Sequence, residues 1–91
     1  MLFVTRFKNR GRRPLAEVTA DRLSWSPPEN VKILSEYWCS NTDVAVIVVF
    51  ETDSPEAINA MTRVWADDFE IEVSPAITGE HGMELARQRT D

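Results

Sequence analysis

Apolar and polar positions along the chain switch repeatedly between a strand-like and a helix-like period, and each switch predicts an element. Leu2–Phe7 (LFVTRF) is rich in β-branched and aromatic residues and predicts a first strand. Asn9–Arg13 is a polar turn with a glycine. Pro14 then suits the first turn of a helix in which Leu15, Val18, Arg22 and Trp25 share one stripe. Ser26-Pro27-Pro28 stops that helix, because proline cannot continue it. Val31–Cys39 alternates, with Val31, Ile33, Tyr37 and Cys39 on one side and Lys32, Glu36 and Trp38 on the other. The turn formers Ser40–Asp43 lead into Val44–Phe50, an unbroken apolar run, and the two strands make a hairpin.

A second helix is expected after Asp53 or Ser54 as cap, with Pro55 in its first turn and Glu56 placed well for the helix dipole. Ala57, Ile58, Met61, Val64 and Trp65 form a single apolar stripe, and Asp67-Asp68 breaks it. Phe69–Val73 alternates strictly and predicts a half-exposed strand that Pro75 ends. Residues 1–78 thus read as one domain. Residues 79–91 read as a polar tail, or a short helix around Met83–Gln88 that frays.

The order strand, helix, strand, strand, helix, strand predicts a ferredoxin-like α+β fold. Its antiparallel sheet has the order 4-1-3-2, with both helices on one face. The third strand would then be central, yet it is apolar in both parities: Val44, Val46, Val48 and Phe50 on one side, Ala45, Ile47 and Val49 on the other. A central strand with one wet face should alternate. The helices cover one face, so the expected cover of the other is a second copy, in a homodimer paired through the sheet. On that outward face Glu70 and Glu72 lie opposite the packed Phe69, Ile71 and Val73, and Glu51 ends the third strand. Glu36 and Trp38, with Leu34, are read onto the same face.

Size strengthens the case for pairing. A chain of 91 residues buries only about 60–68% of its unfolded surface, which leaves a monomer marginal. One cysteine, Cys39, excludes an intramolecular disulfide; one histidine, His81, also excludes a Cys/His zinc site, and no metal is expected. Met1–Phe7 is too short for a signal peptide or a membrane span, so the expectation is a cytoplasmic protein that does not enter the membrane. Charge is uneven: residues 1–13 carry +5 and residues 14–91 carry −10, for a net −5. That balance argues against general nucleic-acid binding, which needs a basic footprint.

Two clusters carry candidate chemistry. Glu36, Glu51, Glu70 and Glu72, with Trp38 as a flat apolar wall, are read as lining a ligand mouth between paired sheets, for a cationic or hydrogen-bonding molecule. The plainer reading, a solvated edge that discourages strand aggregation, carries more weight. Arg10, Arg12 and Arg13 lead into a helix N-terminus and form a weaker candidate anion site; the plainer reading is a charged turn that pairs with acids. Cys39 reads as a small packed side chain, His81 stands in the polar tail beside no nucleophile, and Trp25 and Trp65 read as core. No motif calls for a cofactor.

Pro28-Glu29-Asn30-Val31-Lys32, Glu51-Thr52-Asp53, Trp65, and Phe69 through Ile77 (FEIEVSPAI), in that order and spacing, resemble the landmarks of the domain-of-unknown-function family 3303. Asn30 departs from the glycine expected in its turn, and Val44–Phe50 is more aliphatic than the family pattern. The resemblance implies a dimeric α/β barrel, similar to small monooxygenases that act on quinones, polyketides or haem. It transfers no catalytic residue. The second helix, Pro55–Ala66, lacks the histidine that one branch uses to bind haem, and fold-level analogy does not assign chemistry.

The first functional reading is therefore a homodimeric small-molecule binding domain. The second is a cofactor-free monooxygenase-like enzyme on an aromatic or quinone-like substrate, using Trp38 and one outer-face glutamate. The third is a structural or protein-interaction module. Between enzyme and binding module the residues do not choose.

Overall fold

A computed structural model describes residues 1–40 and 43–90 of the chain. The elements run β1 (Leu2–Asn9), α1 (Leu15–Ser24), β2 (Lys32–Trp38), β3 (Val46–Glu51), α2 (Pro55–Trp65), β4 (Phe69–Ala76) and α3 (Gly79–Thr90). The four strands form one sheet in the order β2-β3-β1-β4, antiparallel at every pairing. This is the expected ferredoxin-like order, followed by an additional helix. In the expected hairpin turn, Asn41 and Thr42 lie outside the described residues. Among the described residues, no helix is long and apolar enough to cross a membrane.

Local sequence accounts for the element ends. The Ser54 hydroxyl caps α2 by accepting from the Ala57 N–H at 3.1 Å, and Pro55 follows at the first helical position. At the start of α1, Pro14 lends no side-chain cap; its carbonyl accepts from the Glu17 and Val18 N–H groups. Gly11 takes φ +71 in the turn before it, a conformation that suits glycine, and its N–H donates to Asn9 Oδ1 at 2.9 Å. β4 runs past Pro75 to Ala76 because it is an edge strand that pairs with β1 alone, so the missing N–H leaves no gap between strands.

The core lies between the sheet and the two helices. Phe7 on β1, Val48 and Phe50 on β3, and Phe69 on β4 are buried with Val18 of α1 and Ala57, Met61 and Trp65 of α2. Phe3 stacks on Phe50 with centroids 5.4 Å apart, and Phe7 meets Phe69 edge-on at 5.5 Å. Thr5, between Phe3 and Phe7, is fully enclosed with no hydrogen-bond partner for its hydroxyl among the described residues. An orphan of this kind costs about 1–3 kcal/mol.

β3 sorts its two apolar parities as its sequence predicts. Val46, Val48 and Phe50 pair with Phe7, Thr5 and Phe3 on the helix side. Ile47, Val49 and Glu51 pair with Arg6, Val4 and Leu2 on the outer side. β2 does not keep its predicted faces. Its register against β3 shifts between Ile33 and Ser35, a bulge that leaves Leu34 as the extra residue. After one inserted residue every side chain changes face. Ile33 pairs with Phe50, Glu36 with Val48 and Trp38 with Val46, which places all three on the helix side, while Ser35 and Tyr37 turn outward. The outward placement of Glu36 and Trp38 is thereby corrected.

Candidate functional site

Because of the bulge, Glu36 and Trp38 join a cavity of about 190 Å³ between the helices and the β2–β3 half of the sheet. Its walls come from every layer: Leu15, Val18 and Trp25 from α1 and its end, Met61 and Trp65 from α2, and Phe7, Val46 and Phe69 from the sheet. The three tryptophans of the chain all line it. Trp25 and Trp65 meet edge-on at 5.6 Å, and Trp65 meets Phe69 at 6.4 Å, so one side of the space is an aromatic corner. Space remains there because α1 contributes a single buried residue, Val18, to the layer between helix and sheet.

One polar cluster interrupts this apolar lining. Arg22 points down from the inner stripe of α1 and meets Glu36 on β2. Its Nε donates to both carboxylate oxygens at 3.2 and 3.1 Å, and its Nη2 donates to Oε1 at 2.8 Å. Trp38 Nε1 donates to Glu36 Oε2 at 2.8 Å. Arg22 Nη1 also donates to the Trp25 carbonyl at 3.3 Å, and its guanidinium carbon lies 5.3 Å from the Trp25 ring centroid. The Arg22 hydrogen bonds hold the Glu36 carboxyl below its usual range against the opposing effect of burial, with a smaller contribution from Trp38. At neutral pH the cluster is thus an ion pair of zero net charge. Thr19 and Cys39 supply the other polar atoms of the lining.

A second ion pair fixes the other end of α1. Arg13 donates from Nε to Asp68 Oδ1 at 2.9 Å and from Nη2 to Oδ2 at 2.8 Å, and Nη2 also reaches Asp21 Oδ2 at 2.6 Å. Asp68, buried at the α2–β4 junction, is held below the usual carboxylate range by these bonds. The Arg10 N–H donates to the Asp68 carbonyl at 2.9 Å. Of the three arginines proposed for an anion, Arg13 is engaged with Asp68 and Asp21; Arg10 and Arg12 stay exposed on the turn.

The remaining outer-face acids do not gather with Glu36 and Trp38. Glu51 sits opposite Lys32 at one end of the sheet. At the β4 edge Glu70 sits opposite Lys8, and Glu72 sits opposite Arg6, with which it forms an ion pair at 3.7 Å. Each glutamate therefore has a basic neighbour across the ladder, and the five residues expected at one mouth divide between two faces of the sheet. Arg22 and Trp25 line the cavity, whereas sequence reading placed them on the α1 stripe without assigning them to a candidate site. Their signal was a charged residue on the inward stripe of α1, which needs an acid on the face it covers.

No curated protein and no solved structure is detectably similar to the chain. A family model matches almost its whole length, from β1 through α3. With residues 1–90 matched, the chain belongs to the family described as Domain of unknown function (DUF3303).

Proposed function

We propose that this domain binds a small, flat, uncharged molecule in the cavity between α1 and the sheet, and that it does so as a homodimer paired through the outer sheet face. The observation that carries the reading is the convergence of three tryptophans around an apolar space whose single polar cluster is a charge-neutral Arg22–Glu36 pair. Aromatic walls favour a planar ring by stacking. An apolar space of about 150 Å³ takes a benzene-sized guest, so a cavity of about 190 Å³ suits a ligand of one or two rings. The ion pair offers hydrogen bonds to a hydroxyl or carbonyl, whereas a carboxylate or ammonium would be buried beside a pair that already balances itself. Homodimerisation is supported by the outward Val4, Ile47 and Val49 on the two central strands.

The test uses the tryptophans as reporters. Titration with 2-naphthol is expected to quench their fluorescence saturably, and 2-naphthoate and 2-naphthylmethylamine are expected to bind at least about tenfold more weakly. Glu36→Gln frees the Arg22 charge and should reverse the order in favour of the carboxylate. Trp38→Ala should abolish the quench. Absence of saturable binding by all three compounds would refute the cavity reading.

A second reading, a cofactor-free enzyme on the same class of molecule, rests on the ionised Glu36 in the cavity wall. The hydrogen bonds that keep Glu36 ionised also lower its pKa and make it a weak base toward a phenol, so the binding reading is the better supported. Conversion of a bound aromatic or quinol under air, lost in Glu36→Gln with binding retained, distinguishes enzyme from binding module.

A further inference from the structure

The cavity under α1 has a polar end and an apolar end, and the course of the chain sets which is which. β1 and β2 both run antiparallel to β3, so they are parallel to each other, and α1 crosses back between them in the opposite direction. The start of α1 therefore lies toward the end of β2, and its last turns lie over the middle of β2. That direction brings Arg22 to Glu36 and sets Leu15 toward Trp38. Leu15 precedes Arg22 by about 10 Å along the helix axis, and Trp38 follows Glu36 by about 7 Å along the strand.

The two ends also differ in exposure. The Glu36 and Arg22 side chains are 18% and 31% exposed, whereas Leu15 and Trp38 are each 58% exposed while lining the same space. The cavity thus opens to solvent between Leu15 and Trp38, and its polar pair lies further in. Among the described residues Arg22 and Glu36 are the only charged side chains of the lining, so the mouth carries no charge. Single exposed apolar residues are ordinary on a protein surface. Two large ones flanking an opening that continues into an apolar cavity form a surface for the part of a ligand that the cavity does not hold.

The space of about 190 Å³ holds one or two rings and little more. A ring whose hydroxyl or carbonyl meets the Arg22–Glu36 pair turns its opposite edge toward the mouth. We propose that the ligand is an aromatic ring with an alkyl chain on the edge opposite that polar group, the chain lying against Leu15 and Trp38. This rests on the cavity reading above and deepens it by naming the class of ligand. The mouth is on the helix side of the sheet, so a second copy on the outer face leaves it free.

The test compares 2-naphthol, 6-butyl-2-naphthol and 3-butyl-2-naphthol by quenching of the tryptophans. The two butyl compounds are equally apolar, but one carries its chain at the far end of the ring system and the other beside the hydroxyl. Each methylene fully removed from water strengthens binding about fourfold, and the mouth covers the chain only in part. The 6-butyl compound is expected to bind about tenfold or more tighter than 2-naphthol, and the 3-butyl compound no tighter than 2-naphthol. In Leu15→Ser the ratio of the 6-butyl to the 2-naphthol affinity should fall about threefold or more, whatever the affinity for 2-naphthol itself. A 6-butyl compound no tighter than 2-naphthol overturns the chain subsite and leaves the cavity reading standing. So does a gain shared equally by the 3-butyl isomer, or a ratio unchanged in Leu15→Ser. Absence of saturable quenching by all three compounds overturns the cavity reading and the subsite together.

Discussion

Glu36 and Asp68 are acids whose ionisation the fold controls, and both act on the same helix. Each accepts from an arginine of the α1 region, Arg22 or Arg13, and each is thereby held below the usual carboxylate range. A carboxyl whose folded pKa is depressed contributes stability that is present above its unfolded pKa, near 4. That contribution is lost as pH falls through the lower folded value. The protein should therefore lose stability as pH drops below about 4, as α1 is released at both ends. Glu36→Gln with Asp68→Asn should lower stability at pH 7 and flatten this acid limb, with Glu36→Gln alone costing about 1 kcal/mol. Urea midpoints measured from pH 7 to pH 2 check it; an acid limb unchanged in the double variant would mean that these pairs do not hold α1.

At the scale of elements, the bulge in β2 has the largest consequence. Val31 and Ile33 lie on the helix side as their alternation predicts, and one extra residue, Leu34, then reverses the phase for Glu36, Tyr37 and Trp38. In sequence this is invisible, because Val31, Ile33, Tyr37 and Cys39 keep an unbroken odd parity and an apolar tyrosine reads as well inward as outward. Deletion of Leu34 should leave a regular strand with Ile33, Glu36 and Trp38 still inward, since Ser35 already pairs with Val49. The deletion variant is expected to fold within about 1–2 kcal/mol of the parent and to keep the quench by 2-naphthol. Insertion of a second residue at the same point also sets Glu36 an even number of positions after Ile33, so Glu36 and Trp38 should stay inward there too, with the register to β3 displaced. A deletion variant that loses the Trp38 indole N–H hydrogen bond, seen by NMR, would refute this account of the phase.

For the whole molecule, the outer sheet face and α3 leave apolar surface that one chain does not cover. Along that face Val4, Ile47 and Val49 form the middle, between Lys32 and Glu51 at one end and Arg6, Glu70 and Glu72 at the other. The glutamates lie beside bases, which makes them poor candidates for a cation mouth; in the proposed dimer they would set the register. Ile47→Glu places a charge in the middle of that face and is expected to raise the dimer dissociation constant by at least about a hundredfold. Sizing at micromolar concentration checks this, and an Ile47→Glu dimer of unchanged affinity would move the interface elsewhere.

What the sequence by itself determined is the set of elements from β1 to β4 and their order in the sheet, but not the length of α3. Period, capping residues and prolines act over a few neighbours, and Pro55 after Ser54, the stripe Ala57–Trp65 and the doubly apolar Val46–Phe50 leave little choice. Family membership was also legible, in short motifs spread from Pro28 to Ile77. The site was not. Which face Glu36 and Trp38 occupy depends on pairing with β3, and whether Arg22 meets an acid depends on how α1 lies over the sheet. Whether a space survives beneath α1 depends on how few side chains that helix contributes to the core. These are relations between residues distant in the chain, and only the tertiary structure decided them.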